Sequence, residues 1–288
     1  MRALVTGGAG FVGTNLIKRL LNDGYDVTSL DNYSTGFREN EQKGCTYICG
    51  DVRDLEFWGR RLKKDDLIPD VIFHMAALAR IQPSIKNPLK TIQNNFDGAL
   101  SVLEYARTTE IPVIYAGSSS KHHGLYGSPY AWSKYGGEEL CKLYSEVYDL
   151  STTICRFYNV YGEYHIREGT YATVIGIFEN QFMNNEPLTI VGDGSQRRDF
   201  THIDDIVDGL IRCVGKNFRG EIFELGSGKN YSINEIVDIF NTEKKYIAPR
   251  PGEYDVTLCD YTKAKQNLGY EPKGNLNKYI TKWLEENK

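Results

Sequence analysis

The sequence predicts an α/β fold: a doubly wound parallel sheet with a smaller, interleaved α/β unit. Three observations predict it. Short apolar runs alternate with helical-period segments through the first half of the chain, the pattern of parallel strands joined by right-handed helical crossovers. A glycine-rich turn, Gly7-Gly8-Ala9-Gly10, joins the first run to the first helix. After about residue 159 the rhythm loosens into shorter elements, with no Pro/Gly/Ser linker, repeat or low-complexity tract.

In order, residues 3–6 read as a strand and 11–21 as an amphipathic helix that ends before Gly24. Residues 27–30, 46–49 and 71–74 read as the second, third and fourth strands, and 89–107 as one long helix. Residues 113–116 and 152–157 read as the fifth and sixth strands. Between them Ser128 and Pro129 have the look of an N-cap followed by a first-turn proline. Leu140, Leu143, Tyr144 and Val147 then recur at helical spacing. Further on, 171–184 is expected to be helical, 187–191 a strand, 203–214 a helix with an acidic start at Asp204-Asp205, and 222–225 a strand. Short helices follow at 233–240, 262–268 and 276–285. The expected division is 1–159 plus about 200–225 as a nucleotide-binding domain, and 160–199 plus 226–288 as a second domain for the substrate.

The 288 residues suffice for a sizeable core. A net charge of −4 gives no basic excess for a nucleic-acid surface. No 18-residue apolar span suggests a membrane helix, and nothing reads as a signal peptide. Six cysteines without a Cys-x-x-Cys spacing, several inside apolar runs, read as reduced thiols of a cytoplasmic protein. The five histidines are dispersed, so no metal site is expected.

The glycine turn fits two patterns, Gly8/Gly10/Gly13 or Gly7/Gly10/Gly13. Both put glycine where backbone approaches a pyrophosphate at a helix N-terminus. Asp31 ends the second strand, where a carboxylate accepts from a ribose 2′-hydroxyl and repels a 2′-phosphate. That favours NAD over NADP, although Arg38 is nearby. Tyr130 and Lys134 lie one helical turn apart. An ammonium beside a phenol favours the phenolate, which makes Tyr130 a candidate proton acceptor.

Together these residues resemble the extended short-chain dehydrogenase/reductase superfamily, in particular its NAD-dependent nucleotide-sugar epimerases and dehydratases. The resemblance covers nearly the whole chain. It runs through Thr6–Gly13, Leu30-Asp31-Asn32-Tyr33-Ser34-Thr35-Gly36, Gly50-Asp51-Val52-Arg53-Asp54 and Phe73-His74-Met75-Ala76-Ala77. It continues through Tyr130-x-x-x-Lys134, Arg156-Phe157-Tyr158-Asn159-Val160-Tyr161-Gly162, Gly192-Asp193-Gly194-Ser195-Gln196-Arg197-Arg198-Asp199-Phe200 and Arg250-Pro251-Gly252-Glu253. It implies a Rossmann-like sheet. It also implies NAD held by Gly7, Gly10, Phe11, Val12 and Gly13 at the phosphates, Asp31 and Asn32 at the adenosine ribose, Asp51 and Val52 at the adenine, and Ala76, Ala77, Tyr130 and Lys134 further along. A nucleotide sugar, UDP-linked on the same resemblance, would meet Asn159, Arg198 and Arg250 at its diphosphate, Leu188 and Thr189 at its base, and Thr257 beside C2 of the sugar. Residues 89–107 and 130–148 match the helices that pair in a homodimer.

By the same resemblance Tyr130 takes a proton from the sugar C4 hydroxyl while a serine holds the oxygen. Ser119 is the first choice and Ser118 the second, because the loop is of ambiguous length. The dehydratases carry an Asp-Glu pair in this loop and the decarboxylases a Glu. Ser118–Gly124 has no carboxylate, which points to C4 epimerisation of UDP-glucose/galactose or of a UDP-N-acetylhexosamine. A reductase, a dehydratase or a uronate epimerase of the family is the alternative, and a non-catalytic NAD-binding regulator the alternative of another class. The 121–127 segment is shorter than the family usually has, and Lys121 is a candidate to meet an anionic sugar.

Overall fold

A computed structural model of the chain describes residues 1–252 and 254–287, and of His123 the backbone only. The chain opens with β1 (Arg2–Thr6), the glycine turn and α1 (Phe11–Asn22). Then come β2 (Asp26–Asp31), β3 (Cys45–Cys49), α2 (Leu55–Lys64) and β4 (Val71–His74). Two short helices, α3 (Ile81–Lys86) and α4 (Pro88–Ile92), lead through a π-helical turn (Gln93–Asp97) into α5 (Gly98–Thr109). β5 (Val113–Ser118), α6 (Pro129–Tyr148) and β6 (Thr152–Phe157) complete the first half.

The second half holds β7 (Val160–Tyr161), α7 (Val174–Met183), β8 (Leu188–Val191), β9 (Arg197–Asp199) and β10 (Thr201–His202). α8 (Ile203–Ile211), β11 (Glu221–Leu225), β12 (Asn230–Ser232), α9 (Ile233–Phe240), β13 (Lys244–Ile247), α10 (Thr262–Leu268) and α11 (Leu276–Glu286) follow.

Seven strands form one sheet in the order β11-β6-β5-β4-β1-β2-β3, every neighbouring pair parallel. Central strands such as β4 and β5 are buried throughout, as a sheet covered on both faces requires. One face packs under α1, α8 and α10 through Leu16, Ile17, Leu20, Ile206, Leu210, Ala264 and Leu268. The other packs under α2, α5 and α6 through Trp58, Leu62, Val102, Leu103, Cys141 and Tyr144. A third core joins α7, α9, α11 and β8 around Phe178, Ile190, Ile236, Phe240 and Trp283. β1 lies between β2 and β4, so successive crossovers run in opposite directions from it. A crevice opens at the carboxyl ends of the strands at such a point.

The sequence reading did not name the short elements α3, β7, β9, β10 and β12, and four further differences bear on the fold. α2 was not foreseen: it buries Trp58 and Leu62 in the core with Leu55 half-buried beside them, among charged residues, and is capped by the Asp54 carboxylate on the Phe57 N–H. The helix expected over 89–107 is present and runs unbroken over 88–109, but a π turn is set into it where Asn95 turns inward to bond the 78 loop. β13, almost wholly exposed, pairs with β8 and was also unforeseen. Finally α10, assigned by sequence to the second domain, sits with the sheet: Ala264, Leu268 and Tyr270 belong to the core under α1 and α8.

Candidate active site

A cleft of about 1010 Å³ lies at the carboxyl ends of the strands, between the sheet and the third core. Its first wall is backbone. Gly7, Gly10, Phe11, Val12 and Gly13 line it. Gly7 has φ +72°, and a Cβ there would meet Ala76 backbone at 2.8 Å; a Cβ on Gly13 would meet the Gly7 carbonyl oxygen at 2.1 Å. Gly8 faces away, toward Ser29 and Ile17 beneath the turn. Of the two glycine patterns, Gly7/Gly10/Gly13 is the one the cleft presents.

Asp31 and Asn32 line the same end. The buried Asp31 carboxylate accepts from the Ala9 and Tyr33 N–H groups at 2.9 and 2.7 Å. Burial pushes its pKa up and those two bonds pull it back. Ala76, Ala77 and Val52 also line the cleft. Ala76 is held by its N–H on Thr6 Oγ1, at 3.2 Å, and Thr6 is bonded in turn to His74 Nδ1 at 2.7 Å. Asp51 does not line the cleft. Its carboxylate is tied at the rim to Arg53, at 2.9 and 2.7 Å, and accepts from Asn32, and the Arg53 bond holds it at about 2.

The reactive wall is α6 and the end of β5. Ser128 caps α6 by accepting from the Ala131 N–H at 3.1 Å, with Pro129 in the first turn; such a cap is worth about 1 kcal/mol. The next residue, Tyr130, donates its hydroxyl to Ser118 Oγ at 3.3 Å. Ser118 Oγ also meets Ser120 Oγ at 2.9 Å. Geometry therefore reverses the order expected of the two serines: Ser118, the last residue of β5, reaches Tyr130. Ser119 lines the cleft one residue into the following 3-10 turn.

Lys134 is buried one turn along, with Nζ 4.3 Å from the Tyr115 ring centroid. Desolvation lowers its pKa to about 8, against the pull of Glu138. Burial raises the Tyr130 pKa; the groups that work to lower it are the Ser118 hydroxyl and the Arg80 guanidinium. The sequence reading named Lys134 for that task and did not name Arg80.

Behind this wall lies a closed ionic network. Arg156 donates Nε to both Glu138 oxygens at 3.0 Å and NH1 to Glu224 at 2.8 Å. Glu138 also accepts the Ser118 N–H at 3.2 Å. Glu224 accepts from Tyr158 at 3.0 Å and lies 2.9 Å from His122 Nε2. Lys121 lies over the Tyr135 ring, 4.8 Å from its centroid, and does not line the cleft.

The third wall comes from the second half. Asn159, at φ +24°, donates Nδ2 to the Asp199 carbonyl at 2.9 Å and to Thr257 Oγ1 at 3.3 Å. Thr257 also accepts the Asp199 N–H at 2.9 Å, so it ties the Asn159 turn to β9 as well as lining the cleft. Arg198 donates to the Arg197 carbonyl at 3.0 Å, and it and Arg250 both line the cleft. Thr189 lines it too; Leu188 does not, because in β8 it points the other way, into the third core. Arg80, just before α3, completes the lining beside Tyr130.

The model of the NAD dependent epimerase/dehydratase family matches residues 3–226. The chain belongs to that family. It is 31% identical to a UDP-glucose 4-epimerase of Mycolicibacterium smegmatis, over 99% of this chain and 98% of that one. Among solved structures it resembles a UDP-glucose 4-epimerase of Thermotoga maritima with UDP-glucose (TM-score 0.92, 29% identity, 99% and 98% of the two chains). It also resembles a UDP-glucuronic acid 4-epimerase of Bacillus cereus in complex with UDP-glucuronic acid and NAD (TM-score 0.87, 27% identity, 99% of each chain). NAD is the family's cofactor, and this cleft fits it. A turn that admits no side chain at Gly7 or Gly13 leads into a helix N-terminus, and a carboxylate closes β2.

Among the described residues no cluster of His, Cys, Asp or Glu could hold a metal, and no helix is long and apolar enough to cross a membrane.

Proposed function

We propose that the protein inverts C4 of a UDP-linked sugar through a bound 4-keto intermediate. The observation that carries this reading is the Tyr130–Ser118 hydrogen bond in a cleft whose reactive wall has no free carboxylate. Among the described lining residues Asp31 is the only acid, and it lies at the ribose end. Dehydration across C5–C6 needs an added acid and base; inversion at C4 does not.

NAD, when bound, supplies the acceptor and later the donor of the C4 hydride. Gly7, Gly10, Gly13, Asp31, Asn32, Val52, Ala76 and Ala77 would hold it, with Asp51 acting from the rim through Asn32. Ser118 accepts or donates at the sugar O4 and aims the Tyr130 oxygen. Tyr130 takes the O4 proton as the ketone forms and returns it when the ketone is reduced from the other face. Lys134 and Arg80 stabilise the phenolate during that interval. Asn159, Arg198 and Arg250 hold the diphosphate, where planar guanidinium forks give charge-assisted, bidentate bonds. Thr189 meets the base, and Thr257 bounds the pocket near C2.

We extend the proposal to a homodimer. Leu100 on α5 and Trp132, Leu143 and Val147 on α6 are all exposed, and a paired-helix interface would cover them. Light scattering on the purified protein measures this directly. For the reaction, proton NMR of the protein with UDP- and dTDP-sugars should show inversion at C4. A 6-deoxy-4-keto product would overturn the epimerase reading.

A further inference from the structure

We infer that Arg80 selects a substrate whose sugar carries a carboxylate next to C4. The inference rests on the cleft being the sugar-nucleotide site proposed above. Arg80 is half-buried and lines the cleft with Tyr130 and Ser118. It donates Nε to the Ala172 carbonyl at 3.1 Å and NH1 to its neighbour Ala79 at 3.0 Å. A guanidinium has five N–H donors, so three remain. Among the described residues no carboxylate forms an ion pair with it. Burial in the cleft wall pushes its pKa down. A cation partly withdrawn from water without an anion costs free energy, and a chain that keeps one beside its reactive tyrosine has an anion to meet.

The diphosphate does not fill this role. Arg198 and Arg250 stand toward it, on segments from the second half of the chain, whereas Arg80 acts electrostatically on Tyr130. Tyr130 works at O4. A group that touches both the C4 region and Arg80 is therefore a substituent on C3 or C5. Two sugar chemistries put a carboxylate there: a uronic acid, with the acid on C5, and a 3-O-lactyl sugar, with the acid on an ether at C3. Either makes bidentate, charge-assisted bonds to a planar fork. The Arg80–Ala172 bond adds a consequence. Residues 169–173 line the cleft, so the same side chain that takes the acid also fixes the segment opposite.

The test is calorimetric binding to the NAD-saturated protein of UDP-glucuronate against UDP-glucose, and of UDP-N-acetylmuramate against UDP-N-acetylglucosamine. One acid is expected to bind about ten-fold or more tightly than its neutral counterpart, and which pair shows it identifies C5 or C3. Arg80→Met should bring that ratio to near one, and Arg80→Lys should keep part of it. Equal binding of acid and neutral sugar by the wild type overturns the inference, whatever the variants do. So does a preference that survives Arg80→Met, or Arg80→Gln should the methionine variant fail to fold. NMR on the same samples separates the two readings. C4 inversion without acid preference removes the role of Arg80 alone. Acid preference with a product not inverted at C4 removes the epimerase reading and leaves Arg80 as the acid's partner.

Discussion

Two guanidinium groups flank the reactive centre, and they are held in opposite ways. Arg156, behind Ser118, is 4% exposed and spends its donors on the carboxylates of Glu138 and Glu224. Arg80, in front, hydrogen-bonds only to backbone carbonyls among the described residues, and it lines the cleft. The first is a finished structure: Arg156 lies between two carboxylates of the chain itself, and one of them, Glu138, fixes the Ser118 N–H. The second is unfinished without a ligand. The lesson is that a charge in the wall of a site must be read with its partners. Matched inside the chain it is scaffold, and unmatched it is recognition.

The contrast can be broken at either wall. The largest effect is expected at the point both serve: Tyr130→Phe should lower kcat by about 10²- to 10⁴-fold with the fold intact by circular dichroism. A mutant that keeps the wild-type rate would exclude Tyr130 as the base. Next, Glu138→Ala should destabilise the protein by roughly 3 kcal/mol in urea unfolding, because Arg156 and the Ser118 N–H both lose a buried carboxylate partner. Adding Arg156→Met should lose more rather than recover, since Glu224 is then left with Tyr158 and His122 alone. Recovery in the double mutant would mean that Glu224 needs no guanidinium partner.

Lys134 gives a pH signature. Its folded pKa, about 8, lies below the ordinary lysine value of 10.5, so between those values the unfolded chain binds more protons than the folded one. Stability contributed through this group should therefore rise with pH across roughly 8 to 10.5, by up to about 3 kcal/mol. The difference between wild type and Lys134→Met, followed by urea midpoints, isolates it; a flat difference would show that Lys134 is solvated. The smallest effect separates the two serines. Ser118→Ala should cost about 1–2 kcal/mol of transition-state stabilisation, and Ser119→Ala less than half as much in kcat/KM. The reverse order would restore the assignment read from loop length.

The fold's first half was legible because its signals are local. A strand, a glycine turn and a capped helix each announce themselves within a few residues, and Gly7, Gly13, Asp31 and the Ser128 cap stand where those signals put them. What escaped was set by tertiary partners. Asn95 widens one turn of a helix from α to π because its amide is needed by Leu78 and by Ser133, which it reaches at 3.0 Å. Leu188 and Thr189 look equivalent in sequence, yet strand alternation sends one to the core and the other to the cleft. Arg80 carried no motif. The signal that could have raised it was a lone cation following Ala76-Ala77, in the loop that lies beside the site.

The seating of α10 bears on how the chain folds as it is made. Ala264, Leu268 and Tyr270 close the face of the sheet that α1 and α8 share, and the Tyr270 hydroxyl bonds the Gly226 carbonyl at the end of β11, at 3.2 Å. Every fully buried residue of the opposite face has been made by residue 154, and only the half-buried Ile222 of β11 joins it later. During synthesis, at about 5–20 residues per second, one side of the sheet is finished early while the other stays wet and apolar until the last helices arrive. That late face is the surface a chaperone would meet on the nascent chain.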